Sequence, residues 1–188
     1  IVSTEGASSL IENFTDKIEK TTTTAETPIN TLNLSKLYVL TSDNTASASE
    51  TLINGLLPHM EIFNVGINTA GKYVASVTIK DWDANGNVNP NDKWAMQPIV
   101  VKIANSNGVS DFVDGLIPDF VAEEDIANLM PFGNENETLL KAVLNNIKGL
   151  PQTRSTLKSK ELGLNKVFDS QDLKPFSKQM YINKFKKN

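Results

Sequence analysis

The stretch Leu37-Tyr38-Val39-Leu40-Thr41-Ser42-Asp43-Asn44-Thr45-Ala46-Ser47-Ala48-Ser49-Glu50 decides how this chain folds. Leu37 to Leu40 form a short apolar run rich in strand formers, closed by Ser42-Asp43-Asn44, which suits a buried parallel strand. From about Ala46 to Leu57, small residues followed by Glu50, Leu52, Ile53, Leu56 and Leu57 read as a helix that Pro58 closes. Glu61 to Val65 is a second short strand, ended by Gly66. A helical crossover between two strands predicts parallel pairing.

Working outward, Leu10, Ile11, Phe14 and Ile18 recur at helical spacing and predict an amphipathic helix over roughly 5–20. The run Thr21-Thr22-Thr23-Thr24 to Pro28 reads as a loop. Tyr73 to Trp82 and Trp94 to Ala104 alternate apolar and polar residues and are joined by Asp, Asn, Gly and Pro, the pattern of a β-hairpin with a long connection. Trp82, Trp94 and Met96 then belong to hairpin packing. Thr138 to Ile147 places Leu139, Leu140, Val143, Leu144 and Ile147 on one helical face, with Gly149 and Pro151 just beyond. No internal repeat is present. The order of elements predicts an α/β domain with a mixed sheet and flanking helices.

The 188 residues suit one domain with a sizeable core, and 39% hydrophobic against 21% charged residues is the balance of a folded chain. No apolar run approaches the roughly 18 residues of a membrane span. The absence of cysteine excludes disulfides, thiolate nucleophiles and cysteine-based zinc sites, and a single histidine excludes a multi-histidine metal centre. The chain starts Ile1-Val2-Ser3-Thr4 without a methionine, so a piece of a longer protein is expected. Charge divides it unevenly. Residues 1–150 carry 9 basic and 19 acidic side chains, whereas 151–188 carry 9 basic and 3 acidic ones. The two parts attract each other, and 151–188 is expected to be a basic extension that packs on the domain or is exposed. Its Lys174, Lys178, Lys184, Lys186 and Lys187 and its aromatics Phe176, Tyr181 and Phe185 match no nucleic-acid-binding motif, so no nucleic acid is expected as partner.

Ser47 lies between a strand and the helix it feeds. There, unpaired backbone N–H groups and the helix dipole favour the negative charge of an attacked carbonyl, which makes a serine a candidate nucleophile. Serine at such a junction also caps helices, and the local sequence leaves both readings open. Gly71-Lys72 follows the returning strand, with Lys72 25 residues beyond Ser47. A neutral lysine amine is a base for a serine hydroxyl, and lowering a lysine from about 10.4 to near 7 takes roughly 4.6 kcal/mol in favour of the neutral form. His59 stands one helix away from Ser47, about 18 Å at 1.5 Å per residue, and is expected on the surface. Residues 81–92 place Asp81, Asp83, Asn85, Asn89 and Asp92 at calcium-loop spacing with Gly86 at the sixth position. The flanks read as strands, however, and position 10 is Pro90, so the residues suit a metal-free hairpin loop. No metal is assigned.

Thr45-Ala46-Ser47-Ala48-Ser49-Glu50, then Val65-Gly66, then Thr69-Ala70-Gly71-Lys72, resembles the tail-specific or C-terminal processing serine proteases, in which Ser-Ala-Ser-Ala-Ser-Glu precedes a Thr-x-Gly-Lys at this spacing. Asp114-Gly115-Leu116-Ile117-Pro118-Asp119 and Asn136-Glu137-Thr138-Leu139-Leu140-Lys141-Ala142 extend the resemblance, which covers about 35–149. Met96-Gln97-Pro98 and Ala104-Asn105-Ser106-Asn107-Gly108 are similar to the branch of Bacteroides-like cell envelopes. The resemblance implies a crotonase-like (Clp-protease-like) fold, with 1–150 as the C-terminal part of a catalytic domain. It implies Ser47 as nucleophile, Lys72 as general base, the Ala48 N–H in the oxyanion hole, and support from Gly71 and from Ser76, which stands where several members have a glutamine. It further implies a polypeptide substrate, no cofactor, a place in the bacterial envelope or periplasm, an upstream part of the same protein as partner, and self-association where that part is missing. The family's Asn-x-Gly-Gly oxyanion segment does not occur in the chain. A catalytically incompetent peptide-binding or scaffold protein of the same fold is the alternative, and a calcium-dependent interaction module rests on 81–92 alone.

Overall fold

A computed structural model describes residues 11–124, 129–150 and the backbone of 181–182. Its elements in chain order are β1 (Lys17–Ile18), β2 (Thr27–Pro28), β3 (Lys36–Thr41), α1 (Ala48–Leu56), β4 (Glu61–Gly66), β5 (Val74–Val77), β6 (Ile99–Lys102), β7 (Phe120–Val121), α2 (Thr138–Ile147) and β8 (Tyr181–Ile182).

β3 and β4 pair in parallel from Lys36 opposite Glu61 to Thr41 opposite Gly66, with α1 as the crossover. β7 adds in parallel on the far side of β4. The Pro118-Asp119 pair sets that register: Asn64 donates its N–H to Asp119 Oδ2 at 2.8 Å, and Asp119 donates its own N–H to the Asn64 carbonyl at 2.8 Å. One face of this sheet meets α2, where Val65, Ala122, Leu139 and Val143 form a buried cluster bordered by Tyr38 and Phe120. Tyr38, Phe63 and Phe120 stack across the three strands, with centroids 5.2 and 6.0 Å apart. The Tyr38 hydroxyl donates to Asn146 Oδ1 on α2 at 2.8 Å, so the one polar atom of the stack is satisfied. Glu137 begins α2 by accepting the N–H groups of Leu139 and Leu140.

The expected hairpin forms a separate sheet. β5 and β6 pair antiparallel, with further bridges at Ile79 and Met96 and at Trp82 and Val88. β8 lies parallel on the other edge of β5, Ser76 facing Tyr181 and Val77 facing Ile182. The second sheet is therefore mixed, as expected, whereas the first is parallel throughout. The chain leaves the first sheet between β4 and β5, where Gly66 and Gly71 at positive φ turn it away.

The helix predicted over 5–20 does not form in the part described. Residues 11–15 are irregular, and β1 pairs antiparallel with β2 through Lys17 opposite Pro28 and Ile18 opposite Thr27. The apolar stripe has little to pack against: Ile11, Phe14 and Ile18 are 77%, 68% and 52% exposed, and Phe14 touches His59 edge-on. A short helix without a buried face has only its weak intrinsic propensity to hold it. Residues 5–10 of that expectation lie outside the described residues. Trp94 is also corrected: it stands 85% exposed at the hairpin end instead of packing the two strands.

Candidate active site

Three segments meet at the N-terminal end of α1. The first is the turn after β3, closed by Thr45 N–H to the Ser42 carbonyl at 2.9 Å and by Ser42 N–H to Thr45 Oγ1 at 3.0 Å. It delivers Ser47 to the N-cap of α1. The second is the Thr69–Lys72 loop that follows β4, tied to the first by Ala70 N–H to the Thr45 carbonyl at 2.9 Å. The third is the turn Asp114–Leu116, which lies against the second: Leu116 donates its N–H to Thr69 Oγ1 at 2.7 Å and accepts the Thr69 N–H at 3.2 Å.

The Glu50 side chain joins the first two segments. It is fully buried on α1 and accepts four hydrogen bonds. Oε2 takes the N–H of Ser47 at 2.8 Å and the N–H of Lys72 at 2.8 Å. Oε1 takes the Thr69 hydroxyl at 2.5 Å and the Gly71 N–H at 2.6 Å. Because the same oxygen holds the backbones of Ser47 and Lys72, their nitrogens lie within two hydrogen-bond lengths of each other. A buried carboxyl with its acceptor capacity filled in this way locks two loops from distant parts of the chain.

The glycines explain how the loops approach. Gly71 has φ 81°, and a Cβ there would collide with the Val113 carbonyl; Gly115 has φ 85°, and a Cβ there would collide with the Thr69 carbonyl. Neither position admits a side chain without backbone movement. Ser47 itself has φ 60° and ψ −113°, outside the regions open to ordinary L-residues. Such a conformation costs on the order of 1–3 kcal/mol and persists only where surrounding bonds impose it. Ser47→Gly should therefore raise the melting temperature by about 2–4 °C, the relief of roughly 1 kcal/mol left after glycine's extra unfolded-state freedom is subtracted. Thermal unfolding of the two proteins checks this, and a lower melting temperature for the variant would mean that Ser47 is unstrained.

Ser47 and Lys72 are half-buried, and Ala48 opens the helix, where the first N–H groups have no acceptor within it. Ser76 lies four residues past Lys72, buried in β5. His59 is exposed beyond the other end of α1. In the 81–92 loop the acidic oxygens serve the loop itself: Asp83 accepts the N–H groups of Asn85 and Asn87 and the Asn87 amide, and Asp81 accepts the Asn89 amide. The bonds from Asn87 are the main reason that the Asp83 carboxyl titrates below its usual range. No described helix is long and apolar enough to cross a membrane.

Residue-by-residue reading assigned no role to Glu50, Thr69 or Asp119. A signal for Glu50 was present, since Ser47 followed three residues later by Glu50 is a capping-box spacing. The bonds to Thr69, Gly71 and Lys72 carry no such local signature.

No family model and no curated protein matches the chain. Among solved structures, one described as "Putative S41 protease from Bacteroides fragilis" matches at 36% identity with a TM-score of 0.54, over 64% of this chain and 30% of that one. This chain is similar to an S41 protease. The serine-protease resemblance of the motifs is thereby supported at the level of the S41 peptidases, together with the mixed α/β character of the fold. The chain spans about a third of the S41 protein's length.

Proposed function

We propose that the chain carries the Ser-Lys dyad of a serine endopeptidase of the C-terminal processing type. The observation that supports this best is the Glu50 carboxyl, which holds the backbones of Ser47 and Lys72 on a single oxygen. In the reaction, Ser47 Oγ bonds to the carbonyl carbon of an extended polypeptide while the Lys72 amine takes the hydroxyl proton. The carbonyl oxygen gains negative charge, and the Ala48 N–H at the positive end of α1 donates to it. Collapse of the tetrahedral species breaks the C–N bond, and Lys72 returns the proton to the leaving amine. Water then attacks the acyl-serine by the same proton route and releases the second product. Gly71 gives the lysine loop its turn, and Ser76 supports the strand that continues from it.

The crotonase-like fold, a place in the bacterial envelope and a Bacteroides-type branch belong to the same proposal and rest on the family resemblance of the motifs. So does the second oxyanion donor, which we place on a glycine segment outside these 188 residues. Loss of one such donor typically costs 10² to 10³ in rate, or about 2.7 to 4 kcal/mol. Hydrolysis of an unstructured peptide by residues 1–188 should accordingly be slower by that factor than hydrolysis by a longer protein that supplies the segment. Equal rates at equal concentration would show that the oxyanion hole is complete within these residues.

A further inference from the structure

α1 buries two polar side chains on one face, Glu50 and, one turn later, Asn54, which is 1% exposed. Glu50 serves the Thr69–Lys72 loop, whereas Asn54 meets the turn that follows β6. Asn54 donates its amide to the Val109 carbonyl at 2.9 Å, and Asn105 donates its own amide to the Asn54 carbonyl at 3.1 Å and to Asn54 Oδ1 at 3.2 Å. The other end of the Asn105 side chain closes the turn, its Oδ1 accepting the N–H groups of Asn107 and Val109 at 3.0 Å each. A buried amide engaged as both donor and acceptor fixes the turn on the helix. From this joint two short routes lead to Tyr73, the residue after Lys72. Backwards along the chain, Ile103 donates its N–H to the Tyr73 carbonyl at 2.9 Å. Forwards, the buried Phe112 meets the Tyr73 ring edge-on with centroids 5.5 Å apart, and the Val113 carbonyl stands where a Cβ on Gly71 would lie.

We infer that Asn105 is a positioning residue: paired with Asn54, it ties the chain beyond Lys72 to the helix that begins at Ser47, and so sets the heading of the Lys72 side chain relative to that serine. The rotamers open to a side chain depend on the backbone on both sides of its Cα. On the near side, the Lys72 N–H is held by Glu50 at 2.8 Å. On the far side, the backbone is held through Tyr73, and the residues that hold Tyr73 flank the turn anchored on Asn54. Both sides of the lysine are thus referred to one helix, Glu50 acting directly and Asn54 through Asn105. The catalytic consequence rests on the Ser-Lys reading above, whereas the coupling of this turn to the lysine loop does not.

The test uses the 188-residue chain. Asn105→Asp keeps the two acceptor bonds that close the turn but turns an oxygen, in place of the amide donor, toward two acceptors on Asn54. Backbone hydrogen exchange over 70–75, read by mass spectrometry, should speed up at least about tenfold, while 138–147 in α2 exchange as in the wild type. Asn54→Asp removes the donor to Val109 and should act in the same direction, which covers the case in which the first variant does not fold. Asn107→Ala, at an exposed position of the same turn, should change neither segment. In the form of the protein that turns over best, Asn105→Asp should lower kcat for an unstructured peptide about 10- to 100-fold with KM nearly unchanged. Unchanged exchange over 70–75 in both Asp variants, equal acceleration there and in 138–147, or loss of cooperative unfolding in both would make the joint a local turn or a general support of the fold and overturn the inference. Accelerated exchange with wild-type kcat would overturn the positioning role as well. Acceleration confined to the lysine loop, together with hydrolysis that Lys72→Ala leaves intact, would keep the coupling and sink the Ser-Lys reading.

Discussion

Ser47→Ala, Lys72→Ala and the double variant are expected to lose hydrolysis of an unstructured peptide to one common residual level, on the order of 10⁴ to 10⁶ below wild type. In the proposed reaction the two side chains perform a single step, so that removing either leaves the other without a task. Lys72→Arg should fail as completely, because a guanidinium stays protonated and accepts nothing from a serine hydroxyl. The geometry adds a condition to this expectation. The two residues are held through their backbones by Glu50, which none of these variants touches, so melting temperatures should change little while turnover disappears. Rates are measured in the form of the protein that turns over best, with thermal unfolding in parallel. Near-wild-type hydrolysis by Lys72→Ala would remove the lysine from the mechanism.

The largest effect on stability is expected at Glu50. Its carboxyl is 0% exposed and accepts the N–H groups of Ser47, Gly71 and Lys72 and the Thr69 hydroxyl. Glu50→Ala leaves these donors without an acceptor and opens a cavity, at about 1–3 kcal/mol for each donor kept from water, so a loss of at least 3–5 kcal/mol is expected in urea unfolding. Glu50→Gln separates positioning from folding. It keeps the volume and one oxygen but turns an amide toward N–H donors, which loosens the serine turn and the lysine loop relative to each other. Its kcat should fall by one to two orders of magnitude with KM nearly unchanged, since a misplacement of about 1 Å costs that much. Full activity and full stability in Glu50→Gln would show that the network is incidental to the site.

How much of this was legible in the sequence depends on the range of the forces involved. The strand from Leu37 to Leu40, the helix closed before Pro58, the strand from Glu61 to Gly66, the hairpin and the helix at Thr138–Ile147 all form as their residues predict. Each is governed by periodicity, caps and turns within a few residues. The first segment went the other way: in its described part the helical stripe of Ile11, Phe14 and Ile18 stays largely exposed, and a two-residue ladder with Thr27–Pro28 took Lys17 and Ile18 instead. β7 and β8, each two residues long, are too short for periodicity to announce.

Within the site, the residue types and the spacing of Ser47, Gly71 and Lys72 were set by the sequence alone, because chemistry resides in side chains. Their convergence was decided only by the tertiary structure. Glu50 reaches Ser47 within one turn of helix, a local contact, but it reaches Thr69, Gly71 and Lys72 across 19 to 22 residues. That reach exists only after β4 has paired with β3, and only because Gly71 and Gly115 let backbones meet where any side chain would collide. The positive φ of Ser47 depends on both ranges: its N–H is held by Glu50 within the same turn, and Glu50 is in turn fixed by Thr69, Gly71 and Lys72, which local sequence does not see.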